Sequence, residues 1–145
     1  MKKFITMIVV ALTYCIGAMA QADKVCGVYK AEQSGTTSKV KIFRNGGGYR
    51  AQVIWTANPK NADGSYKTDV KNPDASKRSV HVDNVVLIDK VTYNAQDKVW
   101  DGGKIYDPTS GKVYKVELSL KDAKTLVVKG MWGPFSKKVY WTRVQ

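Results

Sequence analysis

Along most of this chain the side chains alternate with a period of two. Tyr114, Val116, Leu118 and Leu120 fall on one side of an extended backbone, with Lys115, Glu117, Ser119 and Lys121 on the other. Leu126, Val128, Gly130 and Trp132 oppose Thr125, Val127, Lys129 and Met131; Tyr49, Ala51, Val53 and Trp55 oppose Arg50 and Gln52. Val40 and Ile42 alternate with Lys39, Lys41 and Phe43. From Lys24 onward no stretch holds a 3.6-residue apolar period over three turns. One-sided strands of this kind belong to antiparallel sheets with one dry face. That face must pack on a second sheet or be sheltered by closure of the sheet on itself.

Turn signals divide the strands at short intervals. Asn45-Gly46-Gly47-Gly48 tolerates positive φ and predicts a hairpin between strands near 38–44 and 48–57. Asp107-Pro108-Thr109-Ser110-Gly111 predicts a turn, capped by Asp107, between strands near 98–106 and 112–121. Lys121 to Lys124 forms the next tight turn, and Gly133-Pro134 breaks the chain before a last strand at 137–144. With strands near 25–32 and 84–93 the count is about eight, sequentially adjacent and without a crossover helix. Such a meander suits an all-β, up-and-down closed barrel, which leaves no exposed edge; an open sandwich is the alternative. The polar, turn-rich segment 58–83 has almost no apolar periodicity and predicts a lid-like loop over one mouth, with a short helical turn after Asn72-Pro73.

A length of 145 residues allows one domain. Lys2 and Lys3, the apolar run from Phe4 to Ala18, and the small residues of Ala18-Met19-Ala20 predict a cleavable signal peptide over 1–20. The single barrel domain then occupies 21–145, exported to the periplasm or beyond. The apolar run is shorter than the ~20 residues needed to cross a bilayer, so no transmembrane span is expected. Cleavage removes Cys15 and leaves Cys26 alone, where it reads as a small buried hydrophobe. The net charge of +12 becomes +10 with the loss of the two lysines.

Several motifs carry a family resemblance. Asp69-x-x-Asn72-Pro73 with Arg78, the run from Trp100-Asp101-Gly102-Gly103 through Ile105-Tyr106-Asp107-Pro108 to Gly111-Lys112-Val113-Tyr114, Leu126-Val127-Val128-Lys129-Gly130, and Trp141-Thr142-Arg143 resemble the bacterial domain-of-unknown-function family numbered 2147. The resemblance spans nearly the whole mature chain. It implies a small exported bacterial protein with a lipocalin-like barrel and no settled activity. Gly27-Val28-Tyr29 stands where the family pattern has Gly-x-Trp. More distantly the two ends resemble lipocalins, in which a first-strand aromatic meets a last-strand arginine. That likeness assigns Gly27, Tyr29, Trp141 and Arg143 to barrel closure, with Tyr29 or Trp141 under Arg143 in a cation–π contact of ~0.5–2 kcal/mol.

Chemistry-bearing groups are sparse. One His and one mature Cys leave too few ligands for a tetrahedral zinc site, so no metal and no cofactor are expected. His81 reads as a strand-edge residue. Asp101 and Asp107 would lie about 20 Å apart along one strand, too far for a glycosidase pair. No serine sits in a nucleophile elbow. Gly102-Gly103 reads as a bulge or barrel corner, or as a place where a ligand or Trp100 approaches the backbone.

The leading expectation is therefore a non-catalytic barrel holding a small apolar or amphipathic ligand. Tyr49, Val53, Trp55, Leu118, Leu126, Val128 and Trp132 would line it, Asp69, Asn72 and Arg78 would guard its mouth, and Trp100 and Tyr106 complete the candidate set. Eight-stranded barrels are either filled by their own side chains or hold a ligand, and the sequence allows both. The alternative is an envelope interaction module whose basic exterior (Lys39, Lys41, Lys115, Lys129, Lys77-Arg78 and Lys137-Lys138) engages an anionic polymer or lipid headgroup. Export argues against a nucleic-acid partner. A hydrolase using loop carboxylates ranks third.

Overall fold

The computed structural model describes Gly17 and residues 19–145, so most of the expected signal segment lies outside the described residues. Eight antiparallel strands close into a barrel in sequence order: β1 (Gly27–Gln33), β2 (Thr36–Asn45), β3 (Gly48–Thr56), β4 (Val86–Asn94), β5 (Val99–Asp107), β6 (Lys112–Leu120), β7 (Thr125–Trp132) and β8 (Phe135–Arg143). The up-and-down barrel expected from the alternation is the observed architecture. Among the described residues no helix is long and apolar enough to cross a membrane.

Strand limits shift where local turns were not foreseen. The first strand begins at Gly27 because Asp23–Val25 form a 3-10 turn, closed by the Cys26 N–H donating to the Asp23 carbonyl at 3.0 Å. Ser34 and Gly35, at φ 52 and 76, reverse the chain in two residues and start β2 at Thr36. Gly133, at φ 54, does the same between β7 and β8, so Trp132 pairs directly with Phe135. The long loop between β3 and β4 carries the helical turn foreseen after Pro73, as a 3-10 turn over Ala75–Lys77, and a second over Val82–Asn84.

Because the strands alternate in direction, the β1–β2, β3–β4, β5–β6 and β7–β8 connections share one end, here called upper. The lower end holds both termini of the barrel and is closed. Tyr29, Val40, Ile88, Leu118 and Leu126 are fully buried, with Val25, Ile42, Val116 and Val128 around them. The segment before β1 lies beneath this core. The Trp100 indole N–H donates to the Ala22 carbonyl at 2.9 Å, the Tyr49 hydroxyl to Asp23 at 2.6 Å, and the Tyr29 hydroxyl to the Val25 carbonyl at 2.9 Å.

Two irregularities steer side chains. A register shift between Lys39 and Val40 leaves Val53 opposite Val40 and Trp55 opposite Lys39, so β3 carries one extra residue. In β5 the register slips between Trp100 and Gly103, where Gly102 adopts φ 79; the glycine pair is a bulge. The barrel also has a seam. β1 and β8 pair only through Tyr29 with Arg143 and Lys30 with Thr142, both near the lower end. Above them β8 has β7 as its ladder neighbour.

Candidate functional site

Exposure of the inward face rises from the closed end to the upper mouth. Along β7, Leu126 and Val128 are buried, Gly130 is half-buried and Trp132 is 44% exposed. On β6, buried Leu118 and Val116 give way to half-buried Tyr114. β8 runs from buried Trp141 through Val139 to Phe135, which is 62% exposed. The register places these residues on one face: Leu118, Val128 and Val139 are opposite one another, as are Val116, Gly130 and Lys137. The barrel is thus packed below and open above on its β6–β8 side.

An aromatic ladder lines that opening. The Tyr114 and Trp132 rings lie 5.3 Å apart, and those of Trp132 and Phe135 6.2 Å apart. Gly130 sits beneath them, and a Cβ placed there would meet nothing closer than the Tyr114 Cβ at 3.8 Å. Lys137 adds a cation to the same face at the seam.

Beside the ladder, the mouth is held by polar contacts. The Gln33 amide reaches from the end of β1 to Asp107 at 2.9 Å and Thr109 at 3.0 Å, tying together strands that are not neighbours in the barrel. Asp107 caps the β5–β6 turn through the Thr109 N–H at 3.0 Å and the Ser110 hydroxyl at 2.8 Å. Burial acts to raise its pKa, but these bonds together outweigh it and hold the carboxyl below its ordinary range. Asp101 lies at the other end of β5, paired with Thr92, so the two carboxylates do not meet.

The 58–83 loop is fastened to this corner of the barrel. Buried Asp69 accepts from the Tyr106 hydroxyl at 2.7 Å and the Asn72 amide at 2.8 Å. The Arg78 Nε donates to the Asn72 carbonyl at 2.7 Å, and Lys71 to the Thr109 carbonyl at 2.8 Å. Burial, then the bond to Asp69, pushes the Tyr106 phenol upward. His81 stacks on Tyr66 with ring centroids 4.4 Å apart. Replacing Tyr106 by Phe leaves Asp69 short of a donor in a buried site. It is expected to cost about 1–3 kcal/mol of loop anchoring. Limited proteolysis should then nick residues 57–85 faster while the barrel stays intact.

The structure therefore divides the candidate residues. Trp132 lines the opening. Trp55 does not: the β3 bulge turns it outward beside Lys39, whose ammonium lies 5.3 Å from its ring, and it is 45% exposed. Tyr49 and Trp100 point inward but belong to the closed end, bonded to Asp23 and Ala22. Burial, then the Asp23 bond, pushes the Tyr49 hydroxyl up to about 12. Beside it, Arg44 and then Tyr49 hold Asp23 below its ordinary range. A shallow cavity of about 360 Å³ lies there, lined by Arg44, Gly46, Gly47, Tyr49 and Tyr93 among others. Asp69, Asn72, Arg78 and Tyr106 anchor the loop. Tyr114, Phe135 and Lys137 were not singled out from the sequence for the opening, although two aromatics flanking Gly133-Pro134 mark a hairpin tip. Among the described residues no group of three or more His, Cys, Asp or Glu side chains is placed to hold a metal ion.

At the closed end Gly27, Tyr29, Trp141 and Arg143 come together. The Arg143 guanidinium lies 4.9 Å from the Tyr29 ring and donates to the Cys26 and Lys24 carbonyls, each at 2.6 Å. A Cβ on Gly27 would stand 2.5 Å from the guanidinium nitrogen. Trp141 is buried on the neighbouring strand. This fold and its closure agree with the comparisons. Residues 27–143 match the family described as an uncharacterized protein conserved in bacteria, DUF2147. The chain belongs to DUF2147. A solved structure similar to this DUF2147 barrel is protein HP1028 from the human pathogen Helicobacter pylori, described as belonging to the lipocalin family. The two share 26% identity over 83% of each chain, with a TM-score of 0.66. No curated protein sequence matches. In this DUF2147 chain Tyr29 occupies the place expected for a tryptophan, and its ring still lies beneath the arginine.

Proposed function

We propose that this protein is an exported, non-catalytic binding protein that holds a small amphipathic molecule in the open upper part of its barrel. The observation that carries the reading is the rise in exposure along the inward faces of β6, β7 and β8. A barrel built only for stability would bury those rings; here Trp132 and Phe135 stay accessible above a packed floor. The aromatic ladder offers flat apolar area, Gly130 leaves room beside it, and Lys137 suits an acidic group on the ligand. The lipocalin description of HP1028 supports a binding role by analogy of fold.

The test uses 1-anilinonaphthalene-8-sulfonate, which combines an apolar ring system with an anion. We expect saturable one-site binding that quenches Trp132. At Gly130 an added Cβ makes an ordinary contact with the Tyr114 Cβ at 3.8 Å and no clash, so Gly130→Leu should fill the space and weaken binding at least about tenfold, or 1.4 kcal/mol. Unchanged binding by a folded Gly130→Leu variant overturns the site. A co-purified small molecule in a native mass spectrum, lost in that variant, supports it.

A further inference from the structure

We infer that the upper end of the barrel docks on anionic lipid bilayers, with the β7–β8 tip inserted at the headgroup level. Exposed large apolar side chains gather there. Trp132 and Phe135 flank the Gly133-Pro134 tip, Ile54 and Trp55 end β3, Val113 begins β6, and Val70 stands on the loop at 69% exposure. Among the described residues, the lower half contributes Met19, Val144 and Tyr140, the last covered on one side by the Lys121 ammonium 5.8 Å from its ring, and Val139 lies midway along β8. A gathering of this kind at one pole is unusual for a side-chain set facing water alone and marks an interaction surface. The placement of Trp55 outside the barrel, which removes it from the ligand opening, gives it a role here.

Charge selects a bilayer over a neutral apolar partner. Lysines are interleaved with the rim: Lys39 beside Trp55, Lys60 5.2 Å from the Tyr66 ring, and exposed Lys112 and Lys137 next to Val113 and the tip. Of the acids at this end, Asp69 is buried against Tyr106 and Glu32 is paired with Lys30. Asp63 and Asp74 are exposed and Asp107 half-buried, each bonded within its own turn, so lysines outnumber free carboxylates there. Aromatic rings at headgroup depth with lysine ammoniums reaching the phosphates form an interfacial arrangement. Trp132, Phe135 and Lys137 border both the opening and this surface, whereas Trp55, Ile54, Val113 and Val70 lie outside the opening and belong to this surface alone.

Vesicle co-sedimentation tests it, with phosphatidylcholine alone and with phosphatidylcholine and phosphatidylglycerol at 7:3, using residues 21–145. We expect binding to the anionic vesicles, reduced about fivefold for each lysine among Lys39 and Lys112, both outside the opening, changed to Gln. Phe135→Ser should weaken it by about tenfold. Val144→Ser, at the opposite pole, should change nothing. Equal binding to both vesicles, or an unchanged affinity in folded Phe135→Ser, overturns the assignment. So does tight binding to a soluble polyanion that Phe135→Ser does not affect, which would assign the lysines to a polymer. A Gly130→Leu protein that no longer binds the sulfonate dye but still sediments would separate this surface from the interior site.

Discussion

Replacing Gly103 by Ala is expected to destabilise the barrel by more than about 4 kcal/mol, or to prevent folding. A Cβ at that position would stand 2.0 Å from the Lys90 carbonyl oxygen and 3.0 Å from the Val91 Cγ1. The first obstacle is backbone, so no rotamer change relieves it. β4 would have to move by more than an ångström, and Val91, 1% exposed in the core, would move with it. Gly102 provides the control. It carries φ 79, but its nearest neighbour would be the Thr92 hydroxyl at 3.7 Å. Gly102→Ala should therefore show only left-handed backbone strain, about 1–2 kcal/mol. Urea unfolding followed by tryptophan fluorescence measures both. A Gly103→Ala midpoint close to that of Gly102→Ala would show that β4 and β5 do not approach as closely as described.

These glycines show how far the sequence could be read. A bulge or corner was one of two legible meanings of the pair, the other being close approach of a ligand or Trp100 to the backbone. Which glycine turns the backbone and which makes room for a neighbour depends on Lys90, a residue with no local link to either. Alternation predicted the barrel because its apolar side had to be sheltered, and short glycine turns set the hairpins. The same rule misplaced Trp55, because one extra residue in β3 inverts every later side chain. Tyr49 faces inward as the pattern implied, and Trp100 faces inward with it, yet a period of two gives the face and not what lies beneath it. Their partners, Asp23 and Ala22, belong to a segment that carries no strand pattern. The loop residues Asp69 and Asn72 were recognisable as a motif, but their partner Tyr106 lies 37 positions from Asp69, so their anchoring role appears only in three dimensions.

Arg143→Ala is expected to lower stability by about 3–4 kcal/mol, through loss of a closure that no neighbouring side chain can replace. Its guanidinium satisfies three carbonyls from two separate segments: Cys26 and Lys24 at 2.6 Å and Ala123 at 2.9 Å. A charged hydrogen bond in a partly buried place, as to Cys26, contributes about 1.5–3 kcal/mol. The exposed pair contributes less because water takes their place, and the contact with the Tyr29 ring adds about 1 kcal/mol. Arg143→Lys should recover only a small part, since one ammonium cannot span the fork. Tyr29 gives the local readout. Burial pushes its hydroxyl up to about 12, and the Arg143 charge acts in the opposite direction. Removing that charge should move Tyr29 ionisation to still higher pH in a spectrophotometric titration. Because β1 and β8 pair only beside this residue, the variant should also increase hydrogen exchange at Val28 and Val144, whose amides bond across the seam region. A folded variant with wild-type exchange there would show that two ladder pairs suffice, and that the arginine is not what closes the barrel.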